Sequence, residues 1–110
     1  MSSLQSTVDF IVEQMSGAGT VSSRKMFGEY AVYCDDKVVG LICDDQLFIK
    51  PTEKGKAFIN ISNYEEKPPY PGAKPYFLIR DDRWDDKEWL SELTSITASE
   101  LPLPKKKIKI

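Results

Sequence analysis

Few side chains in this chain could do chemistry, and their spacing limits what that chemistry is. There are two cysteines, Cys34 and Cys43, and aspartates stand in pairs at 35–36, 44–45, 81–82 and 85–86. Cations gather at Arg24-Lys25 and in a terminal run of Lys105, Lys106, Lys107 and Lys109. Histidine is absent. That absence removes Ser-His-Asp and Cys-His nucleophiles, His-assisted metal sites and the usual proton shuttle near neutral pH.

Each cluster has a chemical reading and a simpler one beside it. The Asp pairs lack the alternating ligands and closing Glu of a calcium loop. Asp favours turns and helix starts because its short carboxylate bonds nearby backbone N–H groups, and every pair lies at such a place. No two acids are spaced to converge as a general acid–base pair. Gly17-Ala18-Gly19 lacks the Lys-Ser/Thr ending of a phosphate loop and follows a helix instead of a strand. The expectation is a protein that is not an enzyme, with no metal and no cofactor.

Arg24 and Lys25, just before a turn at Phe27-Gly28, offer a small cationic patch to a phosphate or an acidic partner, and the terminal lysines could reinforce it. Phosphate binding at physiological salt needs several converging cations. With 15 Lys+Arg against 17 Asp+Glu, the net charge is −2. Strand-edge charges and a solubilising tail are the favoured account, and nucleic acid is the disfavoured partner. Tyr30, Tyr33, Phe48, Tyr70 and Tyr76 could be stacking platforms, but their neighbours are Glu and Asp where a basic groove is required. Core packing and a protein interface explain them better.

These groups are positioned by a chain of 110 residues, enough for one hydrophobic core without disulfide support. The stretch from Arg24 to Lys50 has short apolar runs broken by Gly and Asp pairs, the pattern of antiparallel strands on tight turns. Leu4, Val8, Ile11, Val12 and Met15 share one face of a helix from Ser2 or Ser3 to about Ser16, capped by Ser2 with Gln5 and ended at Gly17 or Gly19. Strands follow at about 21–27, 29–35, 38–43 and 47–50, with Asp36-Lys37 and Asp44-Asp45-Gln46 as turns. Thr52 caps a short helix through about Ile59. Prolines in 65–75 exclude helix and central strand, and Pro71-Gly72 suits a type II turn. A fifth strand spans 76–80. A last helix starts at Asp85, with Glu88 at its third position, a Trp84–Trp89 staple, and Trp89, Leu90, Leu93 and Ile96 as its buried stripe. The expected fold is α+β and two-layered, in the order helix, four strands, helix, strand, helix. Residues 1–101 form the domain, and 102–110 form a disordered Pro/Lys tail.

With Asp36-Lys37 as the turn, Cys34 lies opposite Val39 and Cys43 opposite Tyr30. The thiols are then roughly 13 Å apart at strand rise, too far for a bridge. A one-residue slip puts them on opposite faces, with the same outcome. Two free thiols fit a reducing cytoplasm. No signal peptide or membrane-spanning run is evident, so a soluble cytoplasmic domain is expected.

Period-two reading of the strands puts Tyr30, Val32, Cys34, Val39, Leu41, Cys43 and Phe48 on one face. Ala31, Tyr33, Val38, Ile42, Leu47 and Ile49 fall on the other. Both faces are apolar, whereas an antiparallel sheet with one wet face alternates. Three modest helices cover one face fully. Two readings stand on equal terms: what they leave bare, or a sheet edge, meets a protein partner or a second copy, or the helices and the proline loop cover everything within a monomer.

The run Arg24-Lys25-Met26-Phe27-Gly28-Glu29-Tyr30, the following Tyr33 strand and the Leu47-Phe48-Ile49-Lys50 strand resemble the TfoX N-terminal domain family. Phe58, the Tyr70-Pro71 loop and a Trp-rich last helix extend the resemblance to about Leu101. It implies a two-layer fold similar to secretion chaperones, and a relation to Sxy/TfoX-type regulators of bacterial competence, which act with transcription machinery. It carries no catalytic residues. The leading expectation is a non-enzymatic regulatory domain that docks a protein, with Arg24, Lys25, Phe27, Gly28, Tyr30 and Lys50 as binding residues. Two alternatives stand beside it: a nucleic-acid-associated regulator using Arg24, Lys25 and the lysine tail, and a small-ligand binder or weak enzyme with a pocket between sheet and proline loop.

Overall fold

Two Asp-Asp turns set the register of the sheet. In the computed structural model, which describes residues 4–26, 29–59 and 65–101, Asp35 and Asp36 have φ of 51° and 71°, and Asp44 and Asp45 have 55° and 58°. Two consecutive left-handed residues make the hairpin turn whose twist matches the flanking strands. Asp tolerates that region better than Lys does, because its side chain bonds locally. The first turn is therefore Asp35-Asp36 where Asp36-Lys37 was expected, and Cys34 pairs with Lys37. The second is Asp44-Asp45, with Cys43 opposite Gln46.

The strands are β1 (Val21–Met26), β2 (Glu29–Cys34), β3 (Lys37–Cys43), β4 (Gln46–Ile49), β5 (Glu66–Lys67) and β6 (Tyr76–Ile79). They form one antiparallel sheet in the order β1-β2-β3-β4-β6-β5. The sheet has six strands where about five were expected. The extra one is the two-residue edge strand β5 before the prolines, held at its start by the Leu78 N–H on the Glu65 carbonyl (2.9 Å) and by the Arg80–Glu65 ion pair (2.6 Å).

A bulge corrects the face assignment. Val32 and Tyr33 are consecutive in β2 yet oppose Gly40 and Val38 of β3, so Val39 is an extra residue without a β2 partner. Its carbonyl accepts instead from the Lys50 N–H at 2.8 Å. One extra residue shifts the alternation by one place. Tyr30, Val32, Cys34 and Val39 therefore share the helix-packed core with Ile42, Leu47, Ile49, Phe77 and Ile79. Leu41, Cys43 and Phe48, expected beside Tyr30, lie in a separate cluster with Leu78 and Tyr76. Gly40 lies at the bulge because a Cβ there would collide with the Phe48 carbonyl oxygen.

Three helices pack on one face: α1 (Gln5–Met15), α2 (Glu53–Ile59) and α3 (Lys87–Glu100). Val8, Ile11 and Met15 of α1 are fully buried, while Leu4 is exposed and Val12 half-buried. The helix starts without a side-chain cap of its own. The Leu4 N–H donates to the Asp45 carboxylate at 2.8 Å, so a hairpin turn serves where a Ser2–Gln5 box was expected. Ser2 lies outside the described residues. Gln5 instead donates to Asp9 (2.9 Å) and accepts from the Tyr30 hydroxyl (3.0 Å). A 3-10 turn, Ser16–Ala18, follows α1, and Gly19 breaks it with φ of 145°.

Thr52 caps α2 as expected, accepting from the Gly55 N–H at 3.0 Å. The cap of α3 is Asp86, one residue later than expected, accepting from the Trp89 N–H at 3.1 Å. Trp84 is engaged elsewhere, its indole N–H donating to the Ile79 carbonyl at 3.1 Å. Trp89 stacks on Phe58 with centroids 5.7 Å apart, and the Arg83 guanidinium lies 4.4 Å from its ring centre. The buried stripe is Leu90, Leu93, Thr94, Thr97 and Ala98. Both threonines are buried because their hydroxyls donate to the Leu90 and Leu93 carbonyls at 2.8 Å.

Candidate functional site

The sheet face on which none of the described helices packs carries a groove of about 590 Å³. Its floor is Leu41 and Cys43 of β3, with Met26 from the end of β1; Pro69, Tyr70 and Pro71 form the opposite wall. That wall is shaped by the Pro71-Gly72 turn expected from sequence. Gly72 has φ of 88°, the left-handed value a type II turn requires, and the Ala73 N–H donates to the Tyr70 carbonyl at 3.1 Å. Tyr70 remains 55% exposed above the groove, an apolar surface that the fold itself leaves in water.

Charge enters at one end. Glu29 and Asp44 line the groove, and no Lys or Arg does so among the described residues. The Glu29 carboxylate accepts from the Asp44 backbone N–H at 2.9 Å, tying the start of β2 to the β3–β4 turn. Burial, with Glu29 and Asp44 nearby, pushes the Cys43 thiol up to about 11. Burial also raises the Tyr76 hydroxyl above its ordinary value. Cys43 is therefore a neutral wall of the groove at physiological pH and is not poised as a nucleophile.

Of the expected binding residues that are described, Lys25 and Tyr30 meet as cross-strand partners of β1 and β2, while Arg24 and Lys50 do not join them. Arg24 is exposed on edge strand β1, its guanidinium 5.6 Å from the centre of the Tyr33 ring. Lys25, next along the extended chain, projects to the opposite face. Tyr30 lines the groove in part, but it belongs to the helix-side core and its hydroxyl is committed to Gln5. Lys50 is half-buried at the end of β4, its N–H on the Val39 carbonyl. Phe27, Gly28 and the lysine tail lie outside the described residues.

Leu41, Cys43, Met26, Asp44 and Pro69 were missed as a group. Their signal was present in the proline-flanked Tyr70, which the expected pocket between sheet and proline loop used. Strict alternation hid it by sending Leu41 and Cys43 to the Tyr30 side. Among the described residues, no three His, Cys, Asp or Glu side chains gather to hold a metal ion. None of the described helices is long and apolar enough to cross a membrane.

A family model described as the TfoX N-terminal domain matches residues 13–100, from the second half of α1 to the last residue of α3. The chain belongs to the TfoX N-terminal domain family. The matched span includes every strand of the sheet and both walls of the groove. The chain is also similar to a Spirochaeta aurantia protein described as an uncharacterized 12.7 kDa protein in trpE 5'region. The two are 43% identical over 96 residues, covering 87% of this chain and 81% of the relative. The match to the TfoX N-terminal domain covers nearly the same span as the resemblance read from the sequence, which runs from the first helix to about Leu101.

Proposed function

We propose that this TfoX N-terminal domain is a non-enzymatic regulatory module that binds a protein partner through the groove on its helix-free sheet face. The observation that carries this reading is the groove's composition: an apolar floor and wall, an exposed aromatic ring at the lip and, among the described residues, no converging acid, base and nucleophile. Such a surface gains free energy when an apolar side chain displaces its water, at about 25 cal/mol per Å² buried. An exposed apolar patch flanked by polar residues is the usual mark of an interaction site. The resemblance to competence regulators fits the same role.

A photo-crosslinking residue in place of Tyr70, compared with one in place of exposed Glu53 on the helix side, tests the reading in cells. The expected result is a protein adduct specific to the Tyr70 position that survives nuclease. Equal adducts at both positions, or adducts that disappear with nuclease, would refute it. The divergence of Arg24 and Lys25 weighs against the nucleic-acid alternative.

One observation favours a second reading. A volume of about 590 Å³ lies within the range of small-molecule sites. On that reading the groove holds an apolar metabolite, and native mass spectrometry of protein drawn from cells would retain a stoichiometric small adduct.

A further inference from the structure

We propose that the groove selects a basic partner: an extended segment in which an apolar side chain is flanked by lysine or arginine. This rests on the groove being a protein-docking site and adds the chemistry of its occupant. Leu41, Met26 and Pro69 offer only dispersion and water exclusion, so they accept any apolar anchor of suitable size. Discrimination must come from the end of the groove, where Asp44 lines the wall, the Glu29 carboxylate is held on the Asp44 backbone N–H, and no Lys or Arg among the described residues takes part in the lining. A carboxylate on the partner would meet like charge there across a low-dielectric apolar wall, whereas an ammonium or guanidinium would meet opposite charge.

Two further features point the same way. The Tyr70 ring, more than half exposed at the lip, presents a π face to which cations are attracted. The Glu29 carboxylate is also placed, since it accepts from the Asp44 backbone N–H at 2.9 Å. An extended occupant suits the shape, because alternate side chains of a strand point to opposite sides. An apolar residue can then enter while its neighbours lie along the lip.

Fluorescence anisotropy with the full chain tests the inference, using three labelled six-residue peptides: alternating Lys-Leu, Gln-Leu and Glu-Leu. The Lys-Leu peptide is expected to bind tightest, by about tenfold over Glu-Leu at low salt, a size expected from two part-exposed charge pairs. Asp44→Asn and Glu29→Gln should each reduce that preference. Both substitutions preserve the local geometry, since Asn tolerates left-handed φ and Gln can still accept from the Asp44 N–H. Glu92→Gln, exposed on α3, removes the same unit of charge and should change nothing.

Equal affinity for all three peptides, with loss in Tyr70→Ala, would sink the charge inference and leave the docking site standing. A Lys-Leu preference reduced as much by Glu92→Gln as by Asp44→Asn would mark bulk charge and overturn it too. If none of the three peptides binds, the inference fails, and the Tyr70 adduct then decides whether the docking site fails with it.

Discussion

Cys43 faces the groove while Cys34 lies in the helix-side core, and burial raises both thiols above their ordinary value. For Cys43 the unfolded thiol titrates near 9.0 and the folded one at about 11. The folded state therefore keeps its proton where the unfolded state has lost it. Stability from this group is fully present below pH 9 and is lost as pH rises through about 11. Between pH 8 and 11 the urea midpoint of the wild type is expected to fall further than that of Cys43→Ala. Equal falls in both would contradict the assignment. At pH 8 a thiol reagent should react with either cysteine more slowly than with an unfolded control. The absence of a disulfide was legible from spacing alone, because both registers considered forbade one. The face of each thiol was not, since it depends on Val39, and a bulge leaves no compositional mark beyond the neighbouring Gly40.

At the scale of elements, the β2–β3 hairpin holds a correctable strain. Asp35 earns its left-handed conformation by accepting from the Thr20 N–H at 3.0 Å. Asp36, exposed with φ of 71°, is the residue where glycine is favoured in such turns. Asp36→Gly should raise stability by about 0.5–1 kcal/mol, the left-handed penalty less the extra entropy glycine loses on folding. The readout is a higher urea midpoint at unchanged m-value, and a lower midpoint would show that Asp36 makes a contribution of its own. The existence of three helices and of the meander was readable because apolar periodicity and turn residues agree there. Boundaries moved where two adjacent residues could play the same part: Asp85 and Asp86 are both plausible caps, and the turn had Asp35, Asp36 and Lys37 to choose among. Strand β5 escaped notice because two residues, Glu66 and Lys67, carry no periodicity, and the prolines after them argue against regular structure.

Over the whole molecule, the two faces of the sheet carry different loads. Phe77 is almost fully buried in the helix-side core, and Phe77→Ala should cost about 3–5 kcal/mol. Tyr70 stands mostly in water, and Tyr70→Ala should change stability by no more than about 0.5 kcal/mol while weakening occupancy of the groove. A large loss of stability in Tyr70→Ala would make the proline loop part of the folding core and remove the case for a binding surface. The apolar character of both faces was legible in the strands, as was the proline loop as a candidate wall. Which residues met that wall was not. Arg24, Lys25 and Tyr30 stood out because they sit in the family motif, yet the register sets Lys25 opposite Tyr30 on the helix side of the sheet and leaves Arg24 on the other face.

Much of this arrangement turns on one amino acid. Upstream of Val39 the sheet points its apolar residues inward by one rule, and downstream by the opposite rule, so Val39 acts as a phase shifter in the weave. Pressing Val39 into a strictly alternating ladder would turn Leu41 and Cys43 under the helices and Ile42 to solvent, whereas deleting it would remove bulge and phase shift together and leave all three where they are.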